Sequence, residues 1–203
     1  MPRVLILFAH PALEKSRAHA RFIQHVPPRD DLTFHDLYEA YPTFDIDVRR
    51  EQHLLIDHEI VVLQCPFFWY STPALVKQWE DLVLEHGWAY GSQGKALVGK
   101  SLLCLLTAGG GAAAYTHEGY NRFTIRELLA PLEQTTRLCN MRFLPPYVVH
   151  GTHRLNEVEL DTEAQRYRLL LDALCDGRID LSGADQYATF NAALDTLAQE
   201  VLR

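Results

Sequence analysis

Three short stretches carry residue types that could do chemistry together. His10 and Pro11 open the first, and Ser16, Arg17 and Ala18 close it. A serine hydroxyl, a basic side chain and the free amides of a helix start all favour an anion. A helix cap alone would explain Ser16 equally well. The second stretch sets Pro66, Phe67, Phe68, Trp69 and Tyr70 in a row ahead of Ser71-Thr72-Pro73. Aromatic faces bury a planar ring, and nearby backbone groups can read its heteroatoms. Packing on the neighbouring helix is the competing explanation, strongest for Phe67 or Phe68 taken singly. The third stretch is Thr107, Ala108, Gly109, Gly110 and Gly111. Its glycines permit positive φ and close approach of backbone to a ligand. The chain has no G-x-x-x-x-G-K-[ST] and no G-x-G-x-x-G, so a single phosphate fits the first stretch better than a triphosphate or a dinucleotide.

The elements that must position these stretches alternate along the chain. Residues 4–9 are an unbroken apolar run of the kind found in parallel strands covered on both faces. Ser16 starts a helix that Pro27-Pro28 stops, and residues 32–37 read as a second strand at a sheet edge. A short helix fits residues 48–57, and residues 59–64 make the third strand. The next helix has Pro73 at its first position, capped by Ser71 or Thr72, and extends to about residue 85. The fourth strand is residues 101–106; a helix covers 125–139; the fifth strand lies within 141–150, bent or ended early by Pro145-Pro146. Residues 156–175 form a further helix, and a weaker one spans 188–202.

Five strands alternating with helices predict an α/β, flavodoxin-like doubly wound five-stranded parallel sheet, order 2-1-3-4-5, with helices on both faces. Ligands of such sheets bind at the carboxyl ends of the strands. The three stretches follow strands 1, 3 and 4 and would meet there. A phosphate anchor, an aromatic wall and a glycine floor outline a site for FMN rather than FAD. Residues 1–175 make up this domain, and residues 176–203 are a helical C-terminal extension without a domain of their own.

With 203 residues, 48% of them hydrophobic and 22% charged, the composition is that of an ordinary globular protein with a sizeable core. A net charge of −7 disfavours nucleic acid as a partner. The ten histidines include no H-E-x-x-H and no cluster with cysteine, so no metal is expected. Cys65, Cys104, Cys139 and Cys175 are widely spaced and read as small buried hydrophobes in a reducing compartment. No apolar run reaches membrane-spanning length, and the start of the chain is too short and strand-like for a signal peptide. A cytoplasmic location is expected, peripheral at the inner face of the membrane where a partner holds it.

Over residues 3–175 the chain resembles the NAD(P)H:quinone oxidoreductases of the flavodoxin-like fold. The likeness is carried by Ala9-His10-Pro11, by residues 66–77, by His86-Gly87-Trp88-Ala89-Tyr90-Gly91 and by Thr107 to Gly111. Within the family it is most similar to the ancillary proteins of glutathione-regulated potassium-efflux systems, through Asp36-Leu37-Tyr38, residues 41–47, Glu51-Gln52 and residues 118–122. The resemblance implies FMN held by His10, Ser16, Arg17 and Ala18 at the phosphate, by Pro66 to Tyr70 along the ring and by Thr107 to Gly110 at its edge. It implies NAD(P)H as co-substrate, a quinone or similar acceptor, a homodimer with the site at the subunit interface, and Tyr90 on the substrate side. Family chemistry assigns a Tyr and a His after the glycine loop to the reduced flavin. Tyr115 matches the Tyr, but the His position falls on Asn121, and His117 is displaced. His19 stands where relatives often carry Asn, which weakens one polar contact.

Two other roles fit less of the sequence. One is a regulatory subunit of a membrane potassium-efflux protein, with FMN mainly structural and residues 41–47 as a docking face; ordinary covering of the sheet edge explains that segment as well. The other is a one-electron carrier, for which −7 is a mild charge and the aromatic loops are too closed.

Overall fold

A computed structural model describes residues 1–201. The strands are β1 (Val4–Phe8), β2 (Leu32–Asp36), β3 (Ile60–Pro66), β4 (Ser101–Ala108), β5 (Arg142–Phe143) and β6 (Tyr147–His150). The helices are α1 (Arg17–Ile23), α2 (Leu37–Ala40), α3 (Val48–Ile56), α4 (Ala74–Val83), α5 (Ile125–Leu128), α6 (Ala130–Leu138), α7 (Glu157–Cys175) and α8 (Phe190–Val201). The sheet is parallel in the order β2-β1-β3-β4-β5, and β6 also pairs with β4. The expected doubly wound fold is therefore the one observed.

The fifth strand is split. β5 pairs with Ser101 and Leu102, whereas β6 pairs with residues 105–108 of the same neighbour. Pro145 and Pro146 fall in the gap, where a residue without an N–H cannot donate to the ladder.

Residues of β1, β3 and β4 alternate between two apolar layers, which is why their sequences read as unbroken hydrophobic runs. On one face Leu5, Leu7, Leu63 and Cys104 pack with Leu55 of α3, Trp79 of α4 and Leu132 of α6. On the other, Ile6, Phe8 and Leu103 pack with Phe22 of α1, Leu170 of α7 and Phe190 of α8. All four cysteines are free and buried, as small apolar fillers would be. Among the described residues no helix is long and apolar enough to cross a membrane, and no group of metal-ligating side chains assembles.

Several boundaries differ from expectation for local reasons. α4 begins at Ala74, with Pro73 as its N-cap and no side-chain cap from Ser71 or Thr72. α2 begins at Leu37, the residue expected to end the second strand; Asp36 caps it by accepting from the amides of Tyr38 and Glu39. The helix expected over 125–139 breaks at Leu129, and Pro131 sits in the first turn of α6. The extension does carry the helix α8, although its expected last residue, Leu202, lies outside the described residues. Phe190 N–H donates to Pro146 O, and the Asn191 amide both accepts from Val148 N–H and donates to Val148 O. One side chain thus supplies a strand-like pairing to the free edge of β6.

Candidate functional site

A cavity of about 380 Å³ opens at the carboxyl ends of β1, β3, β4 and β6, within the range of small-molecule sites. His10, Ser16, Arg17 and Ala18 line it beside Pro66, Phe68, Thr107 and Gly109. The first, second and third stretches therefore converge as topology requires.

At the anion end, Ser16 is the N-cap of α1 and its Oγ accepts from His19 N–H. The amides of Arg17 and Ala18 have no intrahelical acceptor, because they lie in the first turn. The Arg17 guanidinium points elsewhere: it donates to Leu155 O and Glu157. What Arg17 offers the cavity is backbone. His10 is buried, and its Nδ1 accepts from Ala12 N–H at 3.1 Å. An amide N–H can only donate, so His10 carries its proton on Nε2. Burial lowers its pKa, against the opposing charge of Glu14, so the ring is a neutral donor.

The aromatic wall is thinner than its sequence. Phe67 is buried in the core, Phe68 lines the cavity, and Trp69 is 93% exposed and not part of its lining. Tyr70 turns away to donate from its hydroxyl to Asn121 Oδ1 at 3.2 Å. Trp69 and Tyr70 both hold positive φ, +50° and +65°, a conformation that costs a non-glycine residue about 1 kcal/mol or more. Four consecutive aromatics cannot face one cavity when two residues of the loop are left-handed. Within one chain the wall is Phe68.

The glycine floor is present for a different reason than expected. Gly109, Gly110 and Gly111 do not have positive φ, so no conformational need for glycine exists there. The need is space. A Cβ at Gly109 would lie 2.8 Å from the His153 ring, one at Gly110 3.1 Å from the Tyr115 ring, and one at Gly111 2.9 Å from the Arg154 guanidinium. Ala108 is fully buried, so its contribution is backbone as well.

Tyr115, Asn121 and Tyr70 stand outside the cavity, grouped beyond Gly110. The Tyr115 ring lies tilted against the His150 ring at 5.6 Å and edge-on to Phe67 at 6.1 Å. Burial raises its pKa, so its hydroxyl keeps its proton at neutral pH. The His117 ring pairs instead with Glu127 at 2.9 Å. The histidine beside Tyr115 is His150, whose Nδ1 is buried with no hydrogen-bond partner among the described residues and whose pKa burial lowers.

Sequence reading missed Lys15, Thr152 and His153 in the cavity lining, and His150. The signal was there: His150 ends β6 and Gly151-Thr152-His153 follows it, and the rule that placed the other loops applies equally to this one. His19 also needs correction. It does not weaken a contact in the cavity but lies fully buried beneath it, within 2.9 Å of Thr107 Oγ1.

Known proteins of similar sequence and shape agree with the geometry. An uncharacterised NAD(P)H oxidoreductase of Bacillus subtilis, YrkL, is 44% identical over 81% of this chain and 94% of its own length. The glutathione-regulated potassium-efflux system ancillary protein KefG of Yersinia pestis is 40% identical over 82% of this chain and 91% of its own. The crystal structure of general stress protein 14 of Treponema denticola, in complex with FMN, superposes with a TM-score of 0.80 at 40% identity, covering 85% of this chain and 99% of that one. The profile described as flavodoxin-like fold matches residues 2–171, and this chain belongs to that family.

Proposed function

We propose that the chain is an FMN-dependent NAD(P)H:quinone oxidoreductase, moving hydride from NAD(P)H to a quinone or similar small acceptor. The observation that carries the reading is the single cavity in which a first-turn helix end, an aromatic face and a Cβ-free floor meet. A 40% identical protein of the same shape holds FMN. Bound FMN would supply the ring that takes up and releases the hydride.

The chain's own residues supply position and hydrogen bonds. The Ser16 hydroxyl and the amides of Arg17 and Ala18 would hold the phosphate, with Lys15 at the mouth of the cavity. The His10 Nε2–H would join them at the phosphate, Phe68 would lie along the ring, and Gly109 and Gly110 leave the space for its edge. A ring edge reaching past Gly110 would meet the protonated Tyr115 hydroxyl, which sits beside Gly110 next to neutral His150, with Asn121 held by Tyr70. These groups can donate to charge on a reduced ring without exchanging a proton with it. The exposed, strained Trp69 supports a homodimer in which a second subunit covers it and completes the substrate side. Steady-state oxidation of NADPH or NADH with a benzoquinone tests the activity. Parallel double-reciprocal lines are expected from an exchange in which the nicotinamide leaves before the quinone enters. No turnover with FMN-loaded protein would remove the enzymatic reading.

A second role, as an ancillary subunit of a potassium-efflux protein, is favoured by the likeness to KefG. In this chain Tyr41 is buried and donates to buried Glu51, while Phe44 is partly exposed at φ +65°. Tyr41 and buried Ile46 anchor the segment, while Pro42, Thr43, Phe44, Asp45 and Asp47 are exposed and leave a face for a partner. Co-purification with a potassium-efflux protein tests it.

A further inference from the structure

Beneath the cavity floor runs a closed line of four buried polar side chains. Tyr167 Oη is 2.9 Å from Gln64 Oε1, Gln64 Nε2 is 3.4 Å from His19 Nδ1, and His19 Nε2 is 2.9 Å from Thr107 Oγ1. Tyr167, Gln64 and His19 are fully buried, and Thr107 is 7% exposed where it lines the cavity. The line crosses the fold from α7 through β3 and α1 to the end of β4.

The far end of the line sets its direction. The Tyr167 hydroxyl has Gln64 as its one hydrogen-bond partner among the described residues, and a buried hydroxyl left without an acceptor is costly. Tyr167 therefore donates, and the Gln64 carbonyl oxygen faces it. That orientation turns the Gln64 NH₂ towards His19, so His19 Nδ1 accepts. A neutral imidazole with a bare Nδ1 carries its proton on Nε2, which donates to Thr107 Oγ1. The ring is neutral because burial, with His10 nearby, pushes its pKa down to about 3. The Thr107 hydroxyl has received its hydrogen bond, and its own hydrogen is left for the cavity.

We propose that His19 is a positioning residue, locked as the Nε2–H tautomer by Tyr167 and Gln64, which makes the Thr107 hydroxyl a donor to an acceptor atom on the edge of the ring bound in the cavity. Were Gln64 reversed, His19 would accept from Thr107, and the hydroxyl could only accept from the ligand. The line therefore decides which kind of ring atom the floor prefers: a carbonyl oxygen or unprotonated nitrogen over an N–H. This rests on the FMN reading for the identity of the ring, but not for the direction of the line.

The first test is ¹⁵N imidazole NMR of the protein with and without FMN. A single Nε2–H signal for His19, unchanged from about pH 5 to about pH 9, is expected. A proton on Nδ1, or titration in that range, overturns the proposal whether or not FMN binds. The second test uses variants with FMN affinity and the flavin absorption maximum as readouts. His19→Leu should loosen FMN about 2- to 12-fold, the worth of one neutral hydrogen bond, and move the absorption maximum. His19→Gln, which can accept from Gln64 and donate to Thr107, should restore both. Tyr167→Phe alters a residue outside the cavity lining and keeps the packing on Phe22, yet should mix the His19 tautomers and loosen FMN. Equal affinity in His19→Leu and His19→Gln, or an unmoved tautomer in Tyr167→Phe, contradicts the proposal.

Discussion

Replacing Gly109 with alanine separates a glycine kept for the backbone from one kept for a ligand. Its φ is not positive, so alanine is conformationally allowed. Losing the freedom of glycine in the unfolded chain should stabilise the variant by about 0.4–1 kcal/mol. Against this, the new Cβ falls 2.8 Å from His153 Cδ2 and 2.9 Å from its Nε2. His153 is exposed, so its ring can swing away at little expense. Stability should therefore stay within about 1 kcal/mol of wild type, a Tm change of no more than about 2–4 °C for a chain of this size. A rigid planar ligand on the floor cannot yield in the same way. Overpacking of one methyl typically costs about 1–3 kcal/mol, which is about 5- to 150-fold in affinity. Thermal unfolding and FMN fluorescence titration of Gly109→Ala measure the two effects separately. FMN affinity within about twofold of wild type would show that no ligand lies on Gly109, and the floor would have to be abandoned.

Two other expectations concern parts of the molecule outside the cavity. Glu80 is a partly buried carboxyl whose pKa burial pushes up to about 7 from 4.5, against the opposing charge of Lys77. The folded chain holds a proton there that the unfolded chain releases, so its stabilising contribution is present below about pH 4.5 and is lost as pH rises through about 7. Glu80→Gln should match wild type near pH 4.5 and exceed it by about 1–2 kcal/mol above pH 7, discounted for partial exposure; parallel stability curves would show that the carboxyl is not perturbed. Trp69→Ala should leave the thermal stability of the subunit within about 1 kcal/mol while lowering the dimer population in sedimentation velocity. A wild type that sediments as a monomer, or a variant as dimeric as wild type, would separate the strained tryptophan from subunit contact.

Much of the fold was legible because its strongest signals are local. The runs at Val4–Phe8, Ile60–Pro66 and Ser101–Ala108 are buried on both faces, and the alternation with helices leaves few topologies. α7 was legible through its apolar periodicity, and the structure adds a capping box at Asn156. α2 was not, because four residues give no period, and its cap, Asp36, also ends a strand. The location of the site followed from the rule for strand carboxyl ends; the direction of each side chain did not. Nothing in Phe67-Phe68-Trp69-Tyr70 announces two left-handed residues, yet they decide that one ring is core, one is wall and one is solvent-facing. His19 reads as a weakened contact only if it faces the ligand. Its burial among Gln64, Thr107 and Tyr167 depends on residues 45, 88 and 148 positions away, beyond the reach of any local pattern.

The central claim is that the cavity beside Ser16, Phe68 and Gly109 holds FMN and presents it to NAD(P)H. Its most direct measurement is an anaerobic absorbance titration of the purified protein, first with FMN and then with NADPH or NADH. The account predicts saturable binding of one FMN per chain, weakened in Gly109→Ala, followed by loss of the flavin visible band when the nicotinamide is added. Protein that leaves the FMN spectrum unchanged at every ratio, or binds FMN that neither nicotinamide bleaches, would contradict it.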